Sequence, residues 1–176
     1  MPTYKSPTSN PMVQLDPHHA GATIRKAFLL ESILNLFTLP LIFFPRPILS
    51  YLLLNFDPTK NSSQNNATVF FAQCFGGLVV GALTPALWCG LPNTKSAIES
   101  RRTTYILLAG GEILLIPLLI SQALKGGDVA RGAAISPLVA VLAMGGLVPP
   151  LAWRGYVLLG RPELLGKYRD LGGKQE

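Results

Sequence analysis

Two carboxylates interrupt long apolar runs in this chain: Glu31 in AFLLESILNLF and Glu112 in LLAGGEILLIPLL. A charged carboxyl in a hydrocarbon environment costs roughly 2.5–3.5 kcal/mol on insertion scales, so such groups turn inward and are functional candidates by default. The chemistry open to them is that of a protonatable pair, acting in acid/base catalysis or proton coupling on a lipophilic small molecule. Asn35 follows Glu31 by one turn on the same helical face. Counted from Lys26, Glu31 lies about 8 Å and Asn35 about 14 Å into the first run, and counted from Arg102, Glu112 lies about 15 Å into the third. Glu31, Asn35 and Glu112 are therefore expected to line one polar cavity. A purely structural arrangement competes with this: Glu112 neutral and hydrogen-bonded across helices, and Glu31 paired with Arg154 or Arg101 at the membrane rim. Gly110 and Gly111 precede Glu112 and would let a helix or a ligand approach closely.

Other chemistry is excluded by what the runs lack. The two histidines, His18 and His19, lie in a polar N-terminal tail, and none lies in an apolar run. No Ser-His-Asp set, phosphate loop or dinucleotide fingerprint is present, so no cofactor is expected. No metal-ligand spacing occurs either. Cys74 and Cys89 are fifteen residues apart in one expected helix, about 22 Å along its axis, too far to pair within it. Ser32, Thr38, Thr84, Ser121 and Ser136 read as helix-packing residues.

The elements that must position these side chains are membrane spans. Of the 176 residues 49% are hydrophobic and 14% charged, with mean hydropathy +0.37. A water-soluble domain carries roughly a quarter charged residues. The expected fold is an all-α membrane protein, a bundle of four transmembrane helices with a short interfacial helix after the first. The spans are expected at 27–44, 67–91, 103–124 and 132–153, the last extending to 159 if Arg154 snorkels to the headgroups. Pro45-Arg46-Pro47 should stop the first span, residues 47–56 should lie in the interface, and Pro149-Pro150 should kink the fourth span. Residues 1–26 read as a disordered cytosolic tail without a cleavable signal, and 160–176 as a basic tail.

Four spans place both ends and the middle loop on one side. That side holds 11 of the 15 Lys and Arg residues, so the positive-inside rule puts both termini in the cytoplasm. The net charge of +6 is thus topological, with anionic lipid headgroups as the natural contact, and nucleic acid is not an expected partner. The two N-x-S/T acceptors, Asn61 and Asn66, both fall in the first outer loop, with Asn66 abutting the second span. In that span Gln73, Gly77 and Gly81 repeat every four residues, and Gly77–Gly81 forms a GxxxG motif suited to internal packing or to a homo-oligomer or other membrane partner.

The succession IFFPRP, ILSYLLLNF, FAQCFGGLVVGAL and RRTTYILLAGGEILLIPLL resembles small four-span proteins of the DoxX-like group. The resemblance implies the same four-span fold over about two-thirds of the chain. Some members of that group are linked to quinone or thiol oxidation, which the cysteines here do not imply. Four-span sterol isomerases use intramembrane acids together with histidine; this chain has only the acids. Two functional readings follow: an accessory, scaffold or lipid-interacting membrane component, or an enzyme or carrier working through Glu112 and Glu31.

Overall fold

The computed structural model describes residues 13–15 and 21–170. Four of its helical stretches are long and apolar enough to cross a membrane: Ala22–Phe43, Ser63–Cys89, Lys95–Leu124 and Pro137–Gly160. Their large apolar side chains face outward in number, among them Leu30, Phe37, Phe71, Leu114 and Leu142. In water such a surface would aggregate; in a bilayer it is the solvated face.

The first span is α1 (Ala22–Leu36) followed by α2 (Leu39–Phe43). It breaks at Phe37-Thr38, where the Thr38 hydroxyl and amide both donate to the Asn35 carbonyl, at 2.7 and 3.0 Å. Pro40 in the first turn of α2 explains the break, because it has no amide proton to continue the ladder. Helix α3 (Pro45–Leu52) follows directly. Pro45 therefore opens this helix, where its missing donor is harmless, in addition to ending the span before it. Leu49 is buried and Tyr51 exposed on this short amphipathic piece, which begins two residues earlier and ends four residues earlier than 47–56.

The second span comprises α4 (Ser63–Leu78), a wide π turn (Val79–Leu83) and α5 (Thr84–Cys89). Pro85 cannot donate to the Gly81 carbonyl and its ring crowds that turn. The wider turn relieves the crowding, with the Thr84 hydroxyl held by the Val79 carbonyl at 3.0 Å. The third span is a single helix, α6 (Lys95–Leu124), and the fourth is α7 (Pro137–Gly155) closed by a second π turn (Tyr156–Gly160). Helix α7 continues through Pro149 and Pro150.

Side-chain caps, rather than hydropathy, set three of the boundaries. Ser62, Thr94 and Ser136 each accept from the amide three residues on, at 3.2, 3.3 and 3.2 Å. The second and third helices therefore start earlier than 67 and 103, taking in much of the expected polar loops, and the fourth starts later than 132.

Helices α1 and α2 pack against α4 and α5, and α6 pairs with α7 from Tyr105–Trp153 at one end to Gln122–Ala134 at the other. The two hairpins join at both ends. At the loop end, Leu53 bridges Ile135 and the Leu54 amide donates to the Ala134 carbonyl at 3.0 Å. At the basic end, Ile24, Phe28, Leu87, Tyr105, Val157 and Leu165 form the core. Val13–Leu15 (β1) of the N-terminal tail pairs antiparallel with Tyr168–Asp170 (β2) in a short ribbon. Residues 22–26 of that tail form the first turns of α1, and residues 1–12 and 16–20, with His18 and His19, lie outside the described residues.

Candidate functional site

Glu31 on α1 and Glu112 on α6 converge on Arg154 near the end of α7. One guanidinium nitrogen of Arg154 lies 2.7 Å from Glu31 Oε2, and the other terminal nitrogen hydrogen-bonds Glu112 Oε1. The residue at 154 is 3% exposed and Glu112 7%. Arg154 does not snorkel to the headgroups: it turns inward because two carboxylates offer it a fork that no headgroup layer would fix. Of the two basic partners open to Glu31, the geometry selects Arg154.

Aromatic side chains hold the guanidinium in place. Its carbon lies 5.7 Å from the centroid of the Tyr105 ring, a cation–π distance. Tyr105 is fully buried, stacks obliquely on Phe28 at 5.1 Å, and accepts a 3.0 Å hydrogen bond from the Trp153 indole. Ser32, beside Glu31 and buried, is occupied by the Phe28 carbonyl at 2.7 Å. With both carboxylates ionised the triad carries a net charge of −1. Two of its buried polar atoms, Glu112 Oε2 and Arg154 Nε, have no hydrogen-bond partner among the described residues.

Of the expected trio Glu31, Asn35 and Glu112, the two carboxylates meet through the Arg154 guanidinium rather than across an open cavity. Asn35, half-buried one turn beyond Glu31, stays out of the triad and contributes its carbonyl to the break in the first span. Depth alone had matched Asn35 to Glu112; the length of the arginine side chain makes up the difference for Glu31 instead. Gly110 and Gly111 face open space, with nothing within 4 Å of where a Cβ would be.

A second arginine forms a second buried hub. Arg101 on α6 is fully buried and donates to the carbonyls of Gly90 and Leu165, both at 2.7 Å, and of Pro92 at 2.9 Å. It ties the end of the second span to the 3₁₀ turn Pro162–Leu165 after the fourth. Gly21, Gly90 and Gly166 crowd this side chain; Gly21 and Gly166 have positive φ, and a Cβ at any of the three would press on it. The sequence offers Arg101 as a partner for Glu31; the structure instead engages it with backbone carbonyls, while its neighbour Arg102 is exposed.

Other sequence candidates fall elsewhere. Gln73 donates to the Ile42 carbonyl at 3.0 Å, a packing contact between the first two spans. Gly77 and Gly81 meet nothing within 4 Å, so they serve no internal packing; the glycine that does is Gly76, whose Cβ position is 2.9 Å from Ile42 and 3.3 Å from the Thr38 carbonyl oxygen. Asn61 and Asn66 both accept from Arg46, at 3.0 and 2.8 Å, and Asn66 lies within α4. Cys74 and Cys89 are free and exposed.

No protein-family model, no curated protein and no solved structure matches this chain. Its class is that of a small multi-pass α-helical membrane protein, on the strength of four candidate spans.

Proposed function

We propose that this protein is a non-catalytic membrane component, acting as an accessory or scaffold, in which Glu31, Glu112 and Arg154 tie the two helical hairpins together. The observation that carries this reading is that both intramembrane carboxylates are already engaged by one buried guanidinium. A substrate would have to displace that guanidinium from a site with almost no solvent access. Two surface grooves, one near Asn65 and one near Arg25, are lined by other residues. The DoxX-like resemblance fits the same architecture and brings no activity with it.

Glu112→Gln tests the reading. A neutral amide oxygen still accepts from Arg154, and the remaining Glu31–Arg154 pair is electrically balanced. Folding, membrane assembly and whatever cellular function the native chain supports should all persist. Loss of that function with assembly intact would overturn the structural reading.

The excess of one carboxylate supports a second reading, a carrier or enzyme for a lipophilic small molecule using Glu112 and Glu31. One proton would balance the triad, and Glu112 Oε2 has an open valence for it. In that case reconstituted vesicles under a pH gradient would acidify faster with the native chain than with Glu112→Gln.

A further inference from the structure

The start of the first span and the end of the second enclose a groove of about 330 Å³, lined by Ala22, Arg25, Lys26, Leu29 and Leu91. Its walls are mixed in a specific way. Leu29 and Leu91 are apolar, and Leu29 is half-exposed. Arg25 and Lys26 supply two positive charges, and no acidic side chain lines the groove. The Arg25 Nε donates to the Leu91 carbonyl at 2.6 Å, which fixes the guanidinium across the groove. Among the described residues, neither Arg25 nor Lys26 has a carboxylate partner. The nearest intramembrane acid along the helix, Glu31, is taken by Arg154.

The groove also sits at a definite depth. Arg25 and Lys26 directly precede the apolar stretch of α1, so they mark the level of the headgroups, and Leu29 lies about one turn deeper. A ligand that satisfies both parts needs an anionic head at the height of Arg25 and Lys26 and an acyl chain descending over Leu29 and Leu91. We infer that the groove binds one anionic phospholipid. Its phosphate would engage Arg25 and Lys26, and its acyl chain would cover Leu29. The inference is independent of the role given to the Glu31–Arg154–Glu112 triad.

Native mass spectrometry of the detergent-purified full chain tests it, with phosphatidylserine, phosphatidylcholine and inorganic phosphate as probes. Phosphatidylserine should be retained in preference to phosphatidylcholine. Lys26→Gln should lower phosphatidylserine retention about five-fold, the effect of removing one basic residue near an anionic headgroup. Leu29→Trp should abolish retention by filling the groove while leaving the charge unchanged. Lys60→Gln, at the loop end, should change nothing. Circular dichroism of each variant checks that the helices are intact. Equal retention of the two lipids would overturn the proposal, as would equal losses from Lys26→Gln and Lys60→Gln. Displacement of the lipid by inorganic phosphate would overturn it too, since it would identify an anion site without an acyl channel.

Discussion

Arg154 lies 2.7 Å from Glu31, a residue 123 positions earlier in the chain, and the same guanidinium reaches Glu112 on a third helix. One side chain thus links α1, α6 and α7 inside the apolar layer. The asymmetry of buried ion pairs then applies: the pair adds little over apolar packing, but losing one partner strands a charge.

Arg154→Leu should accordingly destabilise the fold by about 3–5 kcal/mol, because two carboxylates lose the cation they share. The triple change Arg154→Leu, Glu31→Leu and Glu112→Leu should recover most of that loss. Thermal unfolding in detergent measures both. A single variant as stable as the parent would remove the triad from any structural role.

The second hub gives a separable outcome. Arg101→Leu removes the donors for the Gly90, Pro92 and Leu165 carbonyls. Each buried carbonyl left without a partner costs about 1–3 kcal/mol. The segment after the fourth span is held partly by this side chain, so limited proteolysis should cut near residues 161–167 much faster in the variant. Arg102→Leu, at the exposed neighbour, should leave the cleavage pattern unchanged.

The contrast between Arg101 and Arg102 also marks how far the sequence could be read. Glu31 and Glu112 stand out because a charge within an apolar run is rare and costly, and linear counting gives its depth. Counting does not give azimuth. In a lipid-facing helix every side is apolar, so the periodicity that orients a soluble helix is absent. That is why depth alone groups Asn35 with Glu112, why Arg154 reads equally as a headgroup contact or a partner for Glu31, and why the GxxxG pattern points to Gly77 when Gly76, turned by about 100° on the helix, makes the close contact. Helix starts were legible in principle: Ser62, Thr94 and Ser136 are ordinary cap residues, but hydropathy alone places the edge where charge thins out.

The two neighbouring glycines should therefore respond in opposite ways. Gly76→Leu puts a side chain into Ile42 and the Thr38 carbonyl and should destabilise the first hairpin by about 1–3 kcal/mol. Gly77→Leu points into open space and should unfold within about 0.5 kcal/mol of the parent. Equal effects at the two positions would place the helix a residue out of register.

The acceptor asparagines separate in the same manner. Asn61 lies in the loop before α4, whereas Asn66 is inside its first turn, where the backbone is already hydrogen-bonded to the Ser62 carbonyl. In a eukaryotic host, Asn61→Gln should abolish any glycosidase-sensitive mobility shift and Asn66→Gln should not. A shift retained in Asn61→Gln and lost in Asn66→Gln would require the start of α4 to unwind.

Asp57, in the same loop, offers a test by titration. Its carboxylate accepts from the Thr59 hydroxyl at 2.6 Å and the Thr59 amide at 3.0 Å, with Lys60 at 3.6 Å. These hydrogen bonds favour the ionised form and hold the group below the ordinary aspartate value of about 3.9. The sign follows from linkage. A depressed folded value means that the contribution of Asp57 to loop stability is present above the unfolded value and is lost as pH falls through the folded one. Carbon-detected NMR of the side-chain carboxyl in micelles should give a midpoint below that of a free aspartate. Thr59→Ala should return it most of the way, because the hydroxyl is the larger of the two influences and its loss loosens the turn that presents the amide. Lys60→Gln should move it less, since the ammonium is farther away and both groups are well exposed to screening solvent. A midpoint unaffected by Thr59→Ala would mean that the turn is not formed around Asp57 in solution.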